Sequence, residues 1–227
     1  MKNALIVGAS RGLGLGLTGK LLAGGWQATA TVRSHSNDLA ALQESAGGHL
    51  QIATLDINDR AQSVQLASGL DGQRFDLLFL NAGILLGWNT ALEDIPDADI
   101  SAVFFTNAIS PIRTADTLVK CVASGGMIAF MSSVLGSVGT NDDGRAELYR
   151  ASKAALNSLA RSFRARHADR DFTILLLHPG VVRTRMGGED APLDIETSVN
   201  GVAAVIEQRW GSGGITFVDY RDEIVPW

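Results

Sequence analysis

The feature that most constrains this chain is a repeated alternation: seven short apolar runs, each followed by a stretch long enough for a turn and a helix. Ala4-Leu5-Ile6-Val7 comes first, and runs at 29–32, 51–56, 75–80, 126–131, 173–177 and 215–218 follow. A short run that is apolar throughout, with no in-and-out pattern, suits a strand covered on both faces. Strands separated by helices can pair in parallel, because the helix carries the chain back to the starting edge. The expected fold class is α/β: one doubly wound domain over residues 1–227, a seven-stranded parallel sheet with helices on both faces. With 46% hydrophobic residues the chain can bury one sizeable core, and no linker or repeat argues for two.

Composition excludes several classes of partner. A net charge of −5 and a pI of 5.3 argue against nucleic acid and against an anionic membrane surface. Cys121 is the sole cysteine, so no internal disulfide can form and a reducing compartment fits. No apolar run approaches the ~20 residues that span a bilayer, and no targeting pattern precedes the first strand. The expectation is a cytoplasmic protein that acts on a small molecule, with no metal.

The first strand feeds Gly8-Ala9-Ser10-Arg11-Gly12-Leu13-Gly14, then an apolar-periodic segment from Leu15 to Leu22. Strand, glycine turn and helix together make a Rossmann-type anion site. The glycines let backbone approach a pyrophosphate, and the helix N-terminus favours its charge. The spacing is GxxxGxG rather than GxGxxG. The second strand ends at Arg33, and no acid that could hold ribose hydroxyls appears before Asp38. Arg11 and Arg33 converging on one corner suit a 2′-phosphate, so the expected cofactor is NADP(H). Asp56 can receive an adenine amino group or cap the helix that follows Asn58-Asp59, and the sequence leaves both open. Asn81-Ala82-Gly83 ends the fourth strand, with Asn81 expected to steady the sheet and Gly83 to let the adenosine ribose pass.

A second group of residues points to proton transfer. Residues 97–122 read as one long helix interrupted at Ser110-Pro111, with Asn107 just before the proline. Its amide can recruit a water or satisfy a freed carbonyl. The fifth strand delivers Ser132-Ser133 to the sheet edge that the glycine turn uses. Tyr149 and Lys153 stand four apart on a helix, so phenol and ammonium share one face. A phenol of pKa ~10 is a poor base at neutral pH, and a neighbouring cation is expected to lower that value. His178 reads as structural, the arginines of 161–166 as a solvated face or subunit contact, and the segment to Pro192 as a mobile flap.

The ordered set Gly8-xxx-Gly12-x-Gly14, Asn81-Ala82-Gly83, Asn107, Ser133, Tyr149-xxx-Lys153 and Pro179-Gly180-x-Val182-x-Thr184 resembles the short-chain dehydrogenases/reductases across essentially the whole chain. The run from His178 to Gly188 looks most like the sniffer and C-factor type of carbonyl reductase. The resemblance implies Tyr149 as general acid or base, Lys153 as its pKa-lowering partner and ribose ligand, Ser133 on the substrate oxygen, and Asn107 holding a relay water. It implies Val182 and Thr184 on the nicotinamide carboxamide. Ser10, Leu13, Ile57, Ala82, Pro179 and Gly180 complete the cofactor set. In such relatives an acid often follows the threonine, but here Arg185 stands there, so substrate identity does not carry over. The implied activity is NADP(H)-dependent interconversion of a carbonyl and an alcohol. A non-catalytic NADP-binding sensor is the alternative, and it need not keep Ser133, Tyr149 and Lys153 together. Only fifteen residues separate Ser133 from Tyr149, too few to cover the neighbouring helices, so a homodimer or tetramer through 97–122 and 149–167 is expected.

Overall fold

A computed structural model describes residues 1–227. Its strands are β1 (Asn3–Val7), β2 (Gln27–Val32), β3 (Leu50–Thr54), β4 (Phe75–Leu80), β5 (Val122–Met131), β6 (Phe172–His178) and β7 (Ile215–Asp219). All neighbours pair in parallel, in the order β3-β2-β1-β4-β5-β6-β7. The chain winds outward from β1 to β3, then restarts at β4 on the other side of β1. That reversal opens a crevice at the carboxyl ends of β1 and β4, where a doubly wound sheet takes its ligands. The register Val7↔Leu80 sets Gly8 beside Asn81 across it.

The inner strands are buried on both faces, and the period-two pleat sorts their side chains between two cores. Leu5, Val7, Leu78, Leu80, Ile128 and Phe130 point to one side. Ala4, Ile6, Leu77, Phe79, Met127 and Ala129 point to the other. The first core is closed by α3 (Arg60–Gly69), α5 (Ser110–Leu118) and α6 (Glu147–Arg166), which contribute Leu66, Leu118 and Phe163. The second is closed by α1 (Gly12–Ala23), α2 (Asn37–Ser45) and α7 (Ile195–Gln208), which contribute Leu17, Leu39 and Ile206. Helices α1 and α7 approach closely at Gly16, where a Cβ would meet Ile195 Cγ2 at 2.7 Å. Phe130 and Phe163 are fully buried in T-shaped contact, centroids 6.3 Å apart. Truncating such a ring costs about 3–5 kcal/mol.

The helix starts fall into two kinds. Ser36, Asp59 and Asp194 cap α2, α3 and α7 by accepting from backbone amides of the first turn. Helices α1, α4, α5 and α6 have no side-chain cap at all. Of these open starts, those of α1 and α6 belong to segments that reach the crevice.

Two expectations need correction. The long helix over 97–122 is broken: α4 (Asp97–Phe104) runs into a π segment at Phe105–Ile109, then α5, then a 3-10 turn at Val119–Cys121. Val122 already opens β5. The irregularity lies one turn before Ser110-Pro111 because a proline lacks the donor for the carbonyl four residues earlier, which is Asn107. Second, the cap of α3 is Asp59, so Asp56 does not cap that helix. Asp56 instead accepts from Asn58 N at 2.9 Å in a local turn. The segment to Pro192 is tied at both ends, with Arg183 N donating to Leu193 O at 2.7 Å and Leu193 N to Val181 O at 3.1 Å.

Candidate active site

The glycine turn is built by backbone. Gly8 and Gly12 sit at φ +89° and +55°, where a side chain strains the chain. At Gly14 a Cβ would lie 2.2 Å from Gly8 O and 2.7 Å from Asn81 Nδ2, so only glycine fits. Asn81 locks the turn from β4: its Nδ2 donates to Gly8 O at 2.7 Å, and its amide to Val7 O at 2.9 Å. The first-turn amides of α1 are free of any side-chain cap and make an anion-binding helix start. Ser36 Oγ donates to Ser10 O at 2.7 Å, joining the turn to the loop after β2. Arg33 opens that loop, and both Arg33 and Arg11 are exposed and make no ion pair. Asp56 is half-buried, its side chain bound only to the Asn58 amide, while Ile57 faces the core.

On the other side the groups are side chains. Lys153 is buried, and its ammonium donates to Met131 O at 2.8 Å, 5.7 Å from the centre of the Tyr149 ring. Burial pulls it from 10.5 down to about 8. Burial also pushes the Tyr149 phenol from 10.0 up to about 12, against the opposing pull of the neighbouring Ser133 hydroxyl. The expected lowering of the phenol by its cation is therefore not what this geometry gives: desolvation wins. A phenol held that high is fully protonated at neutral pH, ready to donate. Ser133 is buried at the end of β5, its Oγ taking the Leu135 amide at 3.1 Å. Ser132 turns the other way, donating to Asn157 Oδ1 at 2.6 Å.

Asn107 is completely buried in the π segment. It does not satisfy a carbonyl freed in its own helix. Its Nδ2 donates to Ile84 O and its Oδ1 accepts from Ile84 N, both at 2.8 Å, clamping the segment after β4. The same Nδ2 lies 3.1 Å from Ser152 Oγ, which donates to the Tyr149 carbonyl at 2.8 Å. Ser152 is a link the sequence reading missed. Its signal was a serine three residues after the tyrosine on a helix, where a hydroxyl bonds back to the preceding turn. Gly83 also sits here: a Cβ on it would be 3.3 Å from Asn107 Oδ1 and 3.7 Å from Lys153 Nζ. It therefore borders Asn107 and Lys153.

The loop after β6 closes the crevice. Gly180 takes φ +81° against Leu193, Pro179 O accepts from Ser198 Oγ at 2.7 Å, and Val182 is buried. Thr184 comes within 3.6 Å of a Cβ position on Gly12, so this loop meets the glycine turn directly. His178, at the end of β6, holds a buried Nδ1 without a partner, and burial takes its pKa from 6.5 down to about 4. The site thus joins an anion cradle to a protonated phenol, a hydroxyl and a buried amine.

The comparisons agree with this geometry. The family model described as short chain dehydrogenase matches residues 2–192. A carbonyl reductase from Pseudomonas aeruginosa PAO1 in complex with NADP superposes with a TM-score of 0.93 at 44% identity, covering 100% of both chains. Carbonyl reductase Sniffer of D. melanogaster superposes with a TM-score of 0.89 at 28% identity, again over 100% of both chains. C-signal of Myxococcus xanthus is 39% identical over 154 residues, 67% of this chain and 92% of that protein.

Proposed function

The chain belongs to the short-chain dehydrogenase family, and from that premise we propose that it is an NADP(H)-dependent reductase of carbonyl compounds, folded as one domain over 1–227. The observation that carries the reading is the placement of the Tyr149 phenol beside the Ser133 hydroxyl, with the buried Lys153 ammonium 5.7 Å from its ring. The residues fit the cofactor. The uncapped start of α1 and the Gly8–Gly14 turn would hold the pyrophosphate, Arg11 and Arg33 the 2′-phosphate, and Lys153 a ribose hydroxyl. Asp56 would meet adenine, and Val182 and Thr184 the carboxamide. Bound there, the cofactor supplies a hydride.

The chain's own residues supply the rest. Ser133 Oγ fixes the substrate oxygen, and Tyr149 gives that oxygen its proton as negative charge develops on it. Lys153, charged below about pH 8, places a positive charge near the phenol and favours the phenolate left behind. Asn107 holds Ile84 and Ser152 in place and thereby steadies the turn that carries Tyr149. Leu86, Trp88, Val181 and Met186 are exposed on loops at this sheet edge, which favours a substrate with an apolar body. No helix is long and apolar enough to cross a membrane. Exposed Phe105 and the open faces of α5 and α6 suit packing against a second copy, and light scattering at micromolar concentration would read twice or four times 24.0 kDa.

Purified protein with NADPH and a panel of aldehydes, ketones and quinones tests the activity through loss of nicotinamide absorbance. Turnover supports it. Tight NADPH binding without turnover of any carbonyl would favour the sensor reading instead.

A further inference from the structure

Three charged side chains are buried in this protein: Arg150, Lys153 and Asp219. Arg150 follows Tyr149 directly and has no part in the chemistry described above. Its guanidinium forks between two acceptors, with Nε donating to Arg145 O at 2.7 Å and Nη2 to Asp143 Oδ1 at 2.6 Å. Asp143 is in turn held by Arg145, whose Nη2 reaches Oδ2 at 2.7 Å. Between these partners the chain passes through Ala146 at φ +57°, one of only two non-glycine residues with left-handed backbone. Ala146 is the N-cap of α6 and offers no side-chain cap, and the local bonds at this turn run to Asp143, from the Arg145 amide at 3.1 Å and from the Arg145 side chain.

The two residues before Tyr149 are also committed to surrounding segments. Glu147 Oε2 accepts from Leu92 N at 3.1 Å, holding the segment after β4. Leu148 is fully buried with Ile95 and Val103. Three residues flanking Tyr149 in sequence thus each grip a different segment.

We propose that Arg150 is a positioning residue: by clamping Asp143 and the Arg145 carbonyl it fixes the left-handed turn that starts α6 and so sets where the Tyr149 phenol meets substrate. This rests on the reading of Tyr149 as proton donor. An arginine suits the task because its planar fork presents Nε and Nη2 at fixed spacing to two acceptors, which a lysine cannot do. The bonds from Arg145 and Arg150 hold the Asp143 carboxyl at about 2, so the clamp stays charged throughout the working range.

The test compares Arg150→Met, Arg150→Lys and Asp143→Asn with wild type, using NADPH and 4-nitrobenzaldehyde as the probe. A misplaced donor costs up to about 100-fold in rate, so Arg150→Met should lower kcat about 10- to 100-fold. Its NADPH dissociation constant should stay within about twofold. Arg150→Lys should recover only part of the loss. In a Tyr149→Phe background, Arg150→Met should add nothing, since the two act as a unit. Arg145→Ala, which removes the outer guanidinium from Asp143 but keeps the carbonyl that Arg150 grips, should lower kcat by less than Arg150→Met does. Unchanged kcat in Arg150→Met, or a loss of equal size with and without the phenol, would overturn the proposal. Should Arg150→Met not fold, Asp143→Asn carries the test: a kcat loss of about threefold or more at constant cofactor affinity supports the clamp, and no loss overturns it. Near-normal turnover by Tyr149→Phe alone would instead remove the proton-donor premise, and the clamp with it.

Discussion

The two sides of the β1/β4 crevice are made of different materials. At the glycine turn the work is done by backbone: a helix start without a side-chain cap, a Gly14 that touches Gly8 O, and charges only on exposed Arg11 and Arg33. Across the crevice, Lys153, Ser133, Asn107, Ser152 and Arg150 are all buried on the side that carries a half-buried Tyr149. The difference assigns each side its sensitivity. Exposed guanidiniums that meet a phosphate respond to salt, whereas buried titratable groups respond to pH and to loss of a neighbour. Substitutions should therefore separate binding from turnover according to the side they fall on.

The largest effect on the backbone-built side is expected from Gly14→Ala. The added Cβ has backbone 2.2 Å away and nothing flexible to push aside. Overpacking of that kind costs about 3 kcal/mol, so a melting curve should show a fall of several degrees and an NADPH titration a large loss of affinity. Wild-type melting and binding together would mean that the turn is not as tight as described.

Arg33→Ala should come next. A charge-assisted hydrogen bond contributes ~1.5–3 kcal/mol, so NADPH should bind roughly 10- to 150-fold more weakly while NADH changes little. Raising the salt concentration should shrink the difference. An equal loss for both cofactors would place the discrimination elsewhere.

The effect confined to the narrowest range of conditions is a stability difference on the other side. The folded protein resists protonating His178 until about pH 4, whereas the unfolded chain takes that proton near 6.5. The unfolded state therefore binds more protons in that window, and stability falls as pH drops from 6.5 toward 4. Above pH 6.5 this group contributes no pH dependence. His178→Asn should flatten that part of the melting-temperature profile. Parallel profiles for both proteins would contradict the assignment.

The same contrast explains what the sequence could disclose. Glycines at 8, 12 and 14 after an apolar run carry their geometry in their identity, since few other residues tolerate those backbone angles or contacts. The sheet was legible for a related reason: inner strands buried on both faces leave short continuous apolar runs, and each of the seven strands overlaps one of the runs read from the sequence. Membership of the family followed from ordered motifs, and the family match and superpositions agree with it. Less was legible on the side-chain-built half. The pairing of Tyr149 with Lys153 was visible as an i, i+4 spacing. Spacing carries no information about desolvation, however, and it is desolvation that sets the phenol at about 12. The π segment at Phe105–Ile109 was displaced from the proline that causes it, and Asn107 found its partner at Ile84, 23 residues away. Arg150 looked like any helix arginine, because its acceptors lie on a loop whose path the sequence does not specify.

The most direct test of the account is Tyr149→Phe, read by two measurements on one preparation. NADPH affinity belongs to the backbone-built side and should stay within about twofold of wild type. Reduction of the best carbonyl from the panel needs the phenolic proton and should lose at least ~100-fold in kcat, as expected when a general acid is removed. Unchanged affinity with that loss of turnover is the predicted result. Near-normal turnover, or a loss of cofactor binding that accounts for the whole decline, would contradict it.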